Sequence, residues 1–316
     1  MRLDQFGVID VSGVDAITFL HSQFTNDIKH LDPCRALFTG YCSPKGRLLA
    51  SFIVWRIGQT IRLLVSKDIQ DIIQKQLSMF ILRSQIKLLN VNDSLEVVGF
   101  TGNVYDVLLQ IFSSIPCHVY EKVDGPAGSL IRLPNAADRE RYLWINTRVL
   151  VDEFIDKLGD TLPIVSRYVW DWLSIRAGEP RITKQTIGQF IPQMVNFDII
   201  GAISFQKGCY PGQEVISRIQ YRGTIKRRTV LSHIEDTEHT TISSINCENE
   251  LSGVELFHSD DPDQPCGMVV NAVALPSKSI DALVEIKLTA LFRGTIHIGS
   301  ASGPTLSFKK LPYTFQ

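Results

Sequence analysis

The sequence predicts an α+β chain, with mixed strand and helix through its longer N-terminal part and an all-strand region after Arg228. Three observations carry this. Apolar residues recur at helical spacing in some segments and run continuously or alternate in others. The resulting order of strands and helices is then repeated once. Beyond Arg228, helical periodicity gives way to short apolar runs separated by Gly, Pro, Asn and Asp clusters. At 316 residues and 44% apolar content, the chain can bury a sizeable core and divide into two or three domains.

The first predicted helix lies within Gly13 to Phe24, where Ile17, Leu20 and Phe24 share a face. Leu48 to Trp55 and Ile61 to Val65 read as a strand pair turned at Gly58-Gln59. Ser66 is the N-cap of a helix whose buried stripe is Ile69, Ile72, Ile73 and Leu77. The second round places a strand near Leu95 to Phe100, a helix near Val104 to Phe112, strands near Cys117 and Tyr142 to Ile145, and a helix carrying Val151, Phe154, Ile155 and Leu158. Two split βαβ units account for this order. A further helix from Ser166 to Ala177 holds Trp170 and Trp172 and ends at Gly178, with Pro180 beyond it. Strands near Thr229 to Ile234, Glu250 to Phe257, Gly267 to Leu275, Leu283 to Leu288 and Thr295 to Ile298 suit a small barrel or sandwich, with the polar stretch Glu235 to Asn249 as a loop.

Composition narrows the function classes. A formal charge of −1 and a pI near 6.7 argue against a protein that lives on phosphate contacts, so any anion site is local. The Met1 to Val11 stretch has no signal-peptide pattern, and no run of apolar residues is long enough to span a bilayer. Six scattered cysteines without such a signal fit a reducing cytoplasm better than a disulfide framework. There is no CxxC and no HxxxH pair, so local spacing gives no support for a metal site.

The densest unusual segment runs from Phe205 to Gly223, FQKGCYPGQEVISRIQYRG, where glycines and a proline bracket a cysteine and a carboxylate ahead of a helical stretch. Gly208 and Gly212 permit close backbone approach, Pro211 suits a first helical turn, and Glu214 suits the positive end of the helix continued by Val215, Ile216 and Ile219. A cysteine beside Lys207 and just before a helix start is biased towards thiolate, which makes Cys209 the candidate nucleophile. The other cysteines lack such a neighbourhood.

KGCYPGQE, Lys207 to Glu214, resembles the signature of the YgfZ family, usually written KGCYTGQE. VSGVDAITFLHSQFTNDI near the N-terminus, SPKGR at Ser43 to Arg47, FIPQMVNFD before the signature and YRGTIKR after it are similar to their family counterparts. The resemblance implies two intertwined ferredoxin-like, folate-binding domains over residues 1–226 and a C-terminal β-barrel over 227–316. It also implies tetrahydrofolate (or a one-carbon derivative) as ligand, and a cytoplasmic role in making or repairing iron–sulfur clusters. The implied partners are iron–sulfur proteins or their assembly factors, including tRNA-modifying enzymes, with no resident metal and no membrane.

By resemblance, Phe6 and Trp170 occupy folate-contacting aromatic positions, and Arg218, Arg222 and Lys226 are candidates for the acidic tail. A flat pterin with a glutamate tail calls for an aromatic face and a cation. Two departures stand out. The related glycine-cleavage T-protein enzymes carry an essential aspartate on the strand matching Leu48 to Trp55, where this chain has Ala50 and Ser51, neither a general base. Arg176 stands where relatives often have a glutamate that pairs with the pterin, and arginine has donors only. Two other readings remain: a one-carbon transferase acting on folate, and direct tRNA binding through Arg218, Arg222 and Lys226 to Arg228.

Overall fold

A computed structural model describes residues 1–158, 161–235 and 251–314. Most of the predicted loop at Glu235 to Asn249, the predicted strand start at Glu250, Cys247 and the Leu158 side chain lie outside the described residues. Packing divides the chain into two units, one of Met1–Tyr41, Ala50–Trp170 and Gln206–Tyr210, the other of Cys42–Leu49, Asp171–Phe205 and Pro211–Gln316.

The chain begins with β1 (Phe6–Ser12), α1 (Ala16–Gln23), β2 (Ala36–Cys42), β3 (Leu48–Ile57), β4 (Thr60–Ser66), α2 (Lys67–Met79) and β5 (Lys87–Asn90). The sheet order is β2-β3-β4-β1-β5. Read from β3 to β5, with helices after β1 and β4, this is the split βαβ order expected from the sequence. Gly58 has φ of 55° in the β3–β4 hairpin, where Ile57 pairs with Thr60.

The helix faces differ in detail from the periodicity. α1 buries Ala16, Phe19, Leu20 and Gln23, leaving Ile17 half-buried. α2 buries Ile69, Gln70, Ile73 and Leu77, while Ile72 is exposed. Gln70 replaces Ile72 because its amide has partners inside: Nε2 donates to Val8 O at 3.1 Å, and Asn92 Nδ2 donates to its Oε1 at 2.6 Å. Gly7 makes the room, since a Cβ there would lie 2.0 Å from Gln70 Oε1.

The second round comprises β6 (Leu95–Thr101), α3 (Tyr105–Leu108), β7 (Lys122–Gly125), β8 (Gly128–Ala136), β9 (Arg139–Thr147) and α4 (Arg148–Leu158), with sheet order β6-β9-β8-β7. Phe100, Tyr142, Trp144 and Val151 meet in its core, and Phe154 packs edge-on against Trp144 at 5.1 Å. Two expectations need correction, and one strand was not expected. The helix near Val104 is a single turn, residues near Cys117 form a turn held by the Glu121 carboxylate, and β8 was not foreseen. The free edge of β6 is occupied by residues 1–3: Arg2 bridges Val98, and Leu3 N donates to Val97 O at 2.9 Å. The N-terminus thus supplies the outer strand position, so the two rounds share chain.

α5 (Arg167–Arg176) ends at Gly178, φ 68°, as the sequence predicts. α6 (Gln213–Arg222) follows. Then come β10 (Arg227–Ile234), β11 (Glu255–His258), β12 (Asp261–Ala274), β13 (Ile280–Lys287), β14 (Ile296–Ile298) and β15 (Ser307–Lys309). They form one sheet ordered β14-β11-β12-β13-β10-β15, with every registered pair antiparallel. Register shifts interrupt β11 and β12, the irregularities that bend a sheet. One face buries Leu256, Val269, Val284 and Ile298.

Candidate functional site

The octapeptide from Lys207 to Glu214 is shared between the units, Gln206–Tyr210 packing in the first and Pro211 onward in the second. In the first, α1 ends with Phe24 as its C-cap, and the carbonyls of a last helical turn lack intrahelical donors. Lys207 supplies them: its Nζ donates to Phe24 O at 2.5 Å and to His21 O. A cation at this end also complements the helix dipole, and the Tyr210 ring lies 5.0 Å from Nζ. The sequence placed Lys207 as an activator of Cys209; in the fold its ammonium also donates to the carbonyls at the end of α1, because buried carbonyls need donors.

Burial pushes Lys207 down to about 8, with Asp27 opposing. Between that value and the ordinary 10.5, the unfolded chain binds a proton that the folded one has released, so Lys207 makes stability rise with pH across this window. Chemical denaturation of wild type and Lys207→Met from about pH 8 to about pH 10 should show the difference between them moving in favour of wild type. A difference that stays flat would place the proton on Lys207 throughout.

His21 was not singled out from the sequence, although it lies within the matching N-terminal stretch. Burial, with Lys207 nearby, lowers its basicity. Lys29 N lies 3.3 Å from its Nδ1, and Asp27 Oδ1 lies 3.2 Å from the same nitrogen. The His21 Nε2 atom faces Gly208, lying 3.7 Å from where a Cβ would be. Cys209 is exposed between buried Lys207 and buried Tyr210. Cys34 and Cys117 are also exposed, whereas Cys42 and Cys266 are buried and burial pushes both thiols up.

In the second unit, Gly212 adopts φ of 81° as the N-cap of α6, and Pro211 stands before the helix rather than in its first turn. A Cβ on Gly212 would lie 2.6 Å from Gly46 Cα and from Ser43 O, so the SPKGR turn rests directly on it. The other matched motifs hold α6 and the start of β10. Gln193 Nε2 donates to Ile216 O at 2.7 Å, and Asn196, with φ of 61°, donates to Thr229 O at 2.8 Å. Arg228 grips both oxygens of Asp198 at 2.6 and 2.8 Å.

The chain is 31% identical to the tRNA-modifying protein YgfZ of Colwellia psychrerythraea over 229 residues, covering 72% of this chain and 69% of that protein. It belongs to the YgfZ family. The YgfZ proteins of Klebsiella pneumoniae and Serratia proteamaculans are 29% and 28% identical, over 72% of this chain and 69% and 68% of theirs. No family model matches the chain. Among solved structures, the glycine cleavage system aminomethyltransferase T from Bartonella henselae superposes with a TM-score of 0.73 at 14% identity, over 98% of this chain and 84% of that one. The shared fold is therefore that of the T-protein.

The residues that the YgfZ resemblance nominated for folate have different environments. Phe6 is half-buried at the start of β1, paired with Ser66. Trp170 is 1% exposed; a Cβ on Gly99 would lie 2.5 Å from its ring, and the Arg141 guanidinium sits 5.4 Å from the ring centroid. Arg218, Arg222 and Lys226 are exposed on α6 and just after it, their side chains without a hydrogen bond or ion pair among the described residues. Arg227 and Arg228 are not part of that basic face, being paired with Glu285 and Asp198. Arg176 turns to Asp281, at 3.7 Å. Burial opposes ionisation of Asp281, but hydrogen bonds from His233 at 2.6 Å and Trp172 at 2.9 Å, with Lys309 nearby, hold its carboxyl below the usual range. Among the described residues no cluster of three His, Cys, Asp or Glu could hold a metal, and no helix is long and apolar enough to cross a membrane.

Proposed function

We propose that this YgfZ-family protein is a cytoplasmic, tetrahydrofolate-binding auxiliary factor of iron–sulfur cluster assembly or repair, supporting iron–sulfur enzymes that include tRNA-modifying ones, and acting through Cys209. The observation that supports this reading is the mounting of Cys209: its neighbours at 207 and 210 are both buried and the thiol between them is exposed. A side chain offered on a short, doubly anchored segment suits attack on, or transfer to, a partner. The domain reading that goes with it is a folate-binding region over residues 1–226, built from two ferredoxin-like domains, and a β-barrel over 227–316.

The residues present fit a folate in part. The acidic tail has three cations available in Arg218, Arg222 and Lys226, whose side chains are unpaired among the described residues, while Trp170, covered on β6 and by Arg141, serves as wall rather than stacking platform. Phe6 is the remaining aromatic candidate. β3 offers buried Ala50 and Ser51 in place of the T-protein aspartate, so aminomethyl transfer from a lipoyl carrier has no base there. Replacing Arg218, Arg222 and Lys226 together by Gln should weaken tetrahydrofolate binding, read by calorimetry, by about tenfold, as loss of charge-assisted contacts predicts. Unchanged affinity removes α6 from the site. Trp170→Ala is a poorer test, because truncating so buried a tryptophan costs about 3–5 kcal/mol of stability.

One observation favours direct tRNA contact as a second reading: Tyr221 is 70% exposed on α6 between Arg218 and Arg222, an aromatic among cations that suits a base and its phosphates. The same triple variant distinguishes the two. Loss of steeply salt-dependent tRNA affinity with folate binding intact would select the nucleic-acid reading.

A further inference from the structure

A pocket of about 680 Å³ opens within the first unit, where residues 1–4, β6 and residues 162–169 come together. Its size falls in the range of small-molecule sites, roughly 300–1,000 Å³. Val98, Phe100, Val104, Ile155, Leu162 and Val169 give it an apolar lining. The charged groups are unevenly matched, since three arginines line it with only two carboxylates. Arg2 pairs with Glu96 at 3.1 Å and also bonds Asp152, and Arg167 pairs with Asp4 at 2.8 Å. Arg139 is exposed and has no carboxylate or hydrogen-bond partner for its guanidinium among the described residues.

The position of Arg139 adds a second group. Its Nη1 lies 3.4 Å from where a Cβ on Gly102 would sit, next to Thr101 at the end of β6. Thr101 also lines the pocket, and its hydroxyl oxygen is buried with no hydrogen-bond partner. A buried hydroxyl without a partner loses stability that a ligand could restore. We propose that this pocket binds a small organic anion with an apolar or aromatic body, its acidic group held by Arg139 and Thr101. None of its lining residues belongs to the Lys207–Glu214 signature or to α6.

The probe is 8-anilinonaphthalene-1-sulfonate, which joins an aromatic body to one anionic group, with the uncharged N-phenyl-1-naphthylamine as its neutral counterpart. Titrated against the full chain, the sulfonate should bind at one site per chain with increased emission. Arg139→Gln, a change at an exposed position, should weaken the sulfonate about fivefold and leave the neutral dye within about twofold. Ile155→Trp, which fills the pocket, should abolish binding of both, with cooperative unfolding as the check that the variant is folded. Equal affinity of the sulfonate for wild type and Arg139→Gln, or full binding by a folded Ile155→Trp protein, overturns the proposal. The Arg139→Gln comparison decides alone if the tryptophan variant does not fold.

Discussion

Replacing Gly212 with alanine is expected to destabilise the protein by about 2–4 kcal/mol, while Gly208→Ala, four residues earlier in the same signature, should change stability by less than about 0.5 kcal/mol. At Gly212 two costs add. The backbone is left-handed, φ 81°, which an L side chain adopts at a cost of roughly 1–2 kcal/mol. The new Cβ would also come within 2.6–2.7 Å of Gly46 Cα, Ser43 O and Gly46 N, all backbone atoms that no rotamer change can clear. The loop beneath is pinned, with Ser43 N bonded to Arg47 O at 2.8 Å, Leu48 N to Phe190 O at 2.8 Å and Arg47 Nη1 to Gln189 O at 2.5 Å. At Gly208 the added methyl would meet only His21 Nε2, at an ordinary 3.7 Å. Denaturant unfolding of the two variants reads the contrast. Equal tolerance at both positions would mean that the SPKGR turn moves freely away from α6, against the packing described.

Cys209→Ser is expected to have the opposite profile, with stability within about 0.5 kcal/mol of wild type and function lost. The residue is exposed, so exchanging sulfur for oxygen removes no core packing. A serine hydroxyl is nonetheless far less nucleophilic near neutral pH than a cysteine, part of which is thiolate. In cells lacking the native protein, the variant should leave iron–sulfur enzyme activity at the level of an empty vector while accumulating normally. A parallel measurement concerns the thiols themselves: iodoacetamide should mark Cys209 ahead of Cys34 and Cys117, which share its exposure but not its mounting. Full complementation by the serine variant, with Cys209 labelled last, would assign the signature to backbone geometry alone.

Gly208 and Gly212 illustrate what could be read in advance and what could not. Both stood out in the sequence as glycines permitting close approach, and nothing local distinguished them. The distinction depends on what each faces: residues 43–46 for Gly212, His21 for Gly208. Lys207 is a similar case. Adjacency in the chain suggested an electrostatic link to Cys209, and only the fold shows that the same ammonium donates to the last carbonyls of α1. The basic run from Lys226 to Arg228 was legible as charge, but only the fold shows that Asp198 and Glu285 neutralise two of its three members.

Periodicity, turn residues and the KGCYPGQE segment determined, by themselves, the α+β class, the strand region after Arg228, the positions of α2, α5 and α6, and membership of the YgfZ family. These are local properties: a helical stripe or a hairpin glycine is written within a few residues of where it acts. The tertiary structure alone decided that Gln70 rather than Ile72 faces inward, that residues 1–3 complete the edge of β6, that Arg176 answers to Asp281, and that Arg139 has no carboxylate partner among the described residues beside an unsatisfied Thr101. Each of those outcomes is a choice of partner across many residues of chain. Burial, hydrogen-bond satisfaction and charge neutralisation are settled by proximity in space, which sequence spacing does not encode.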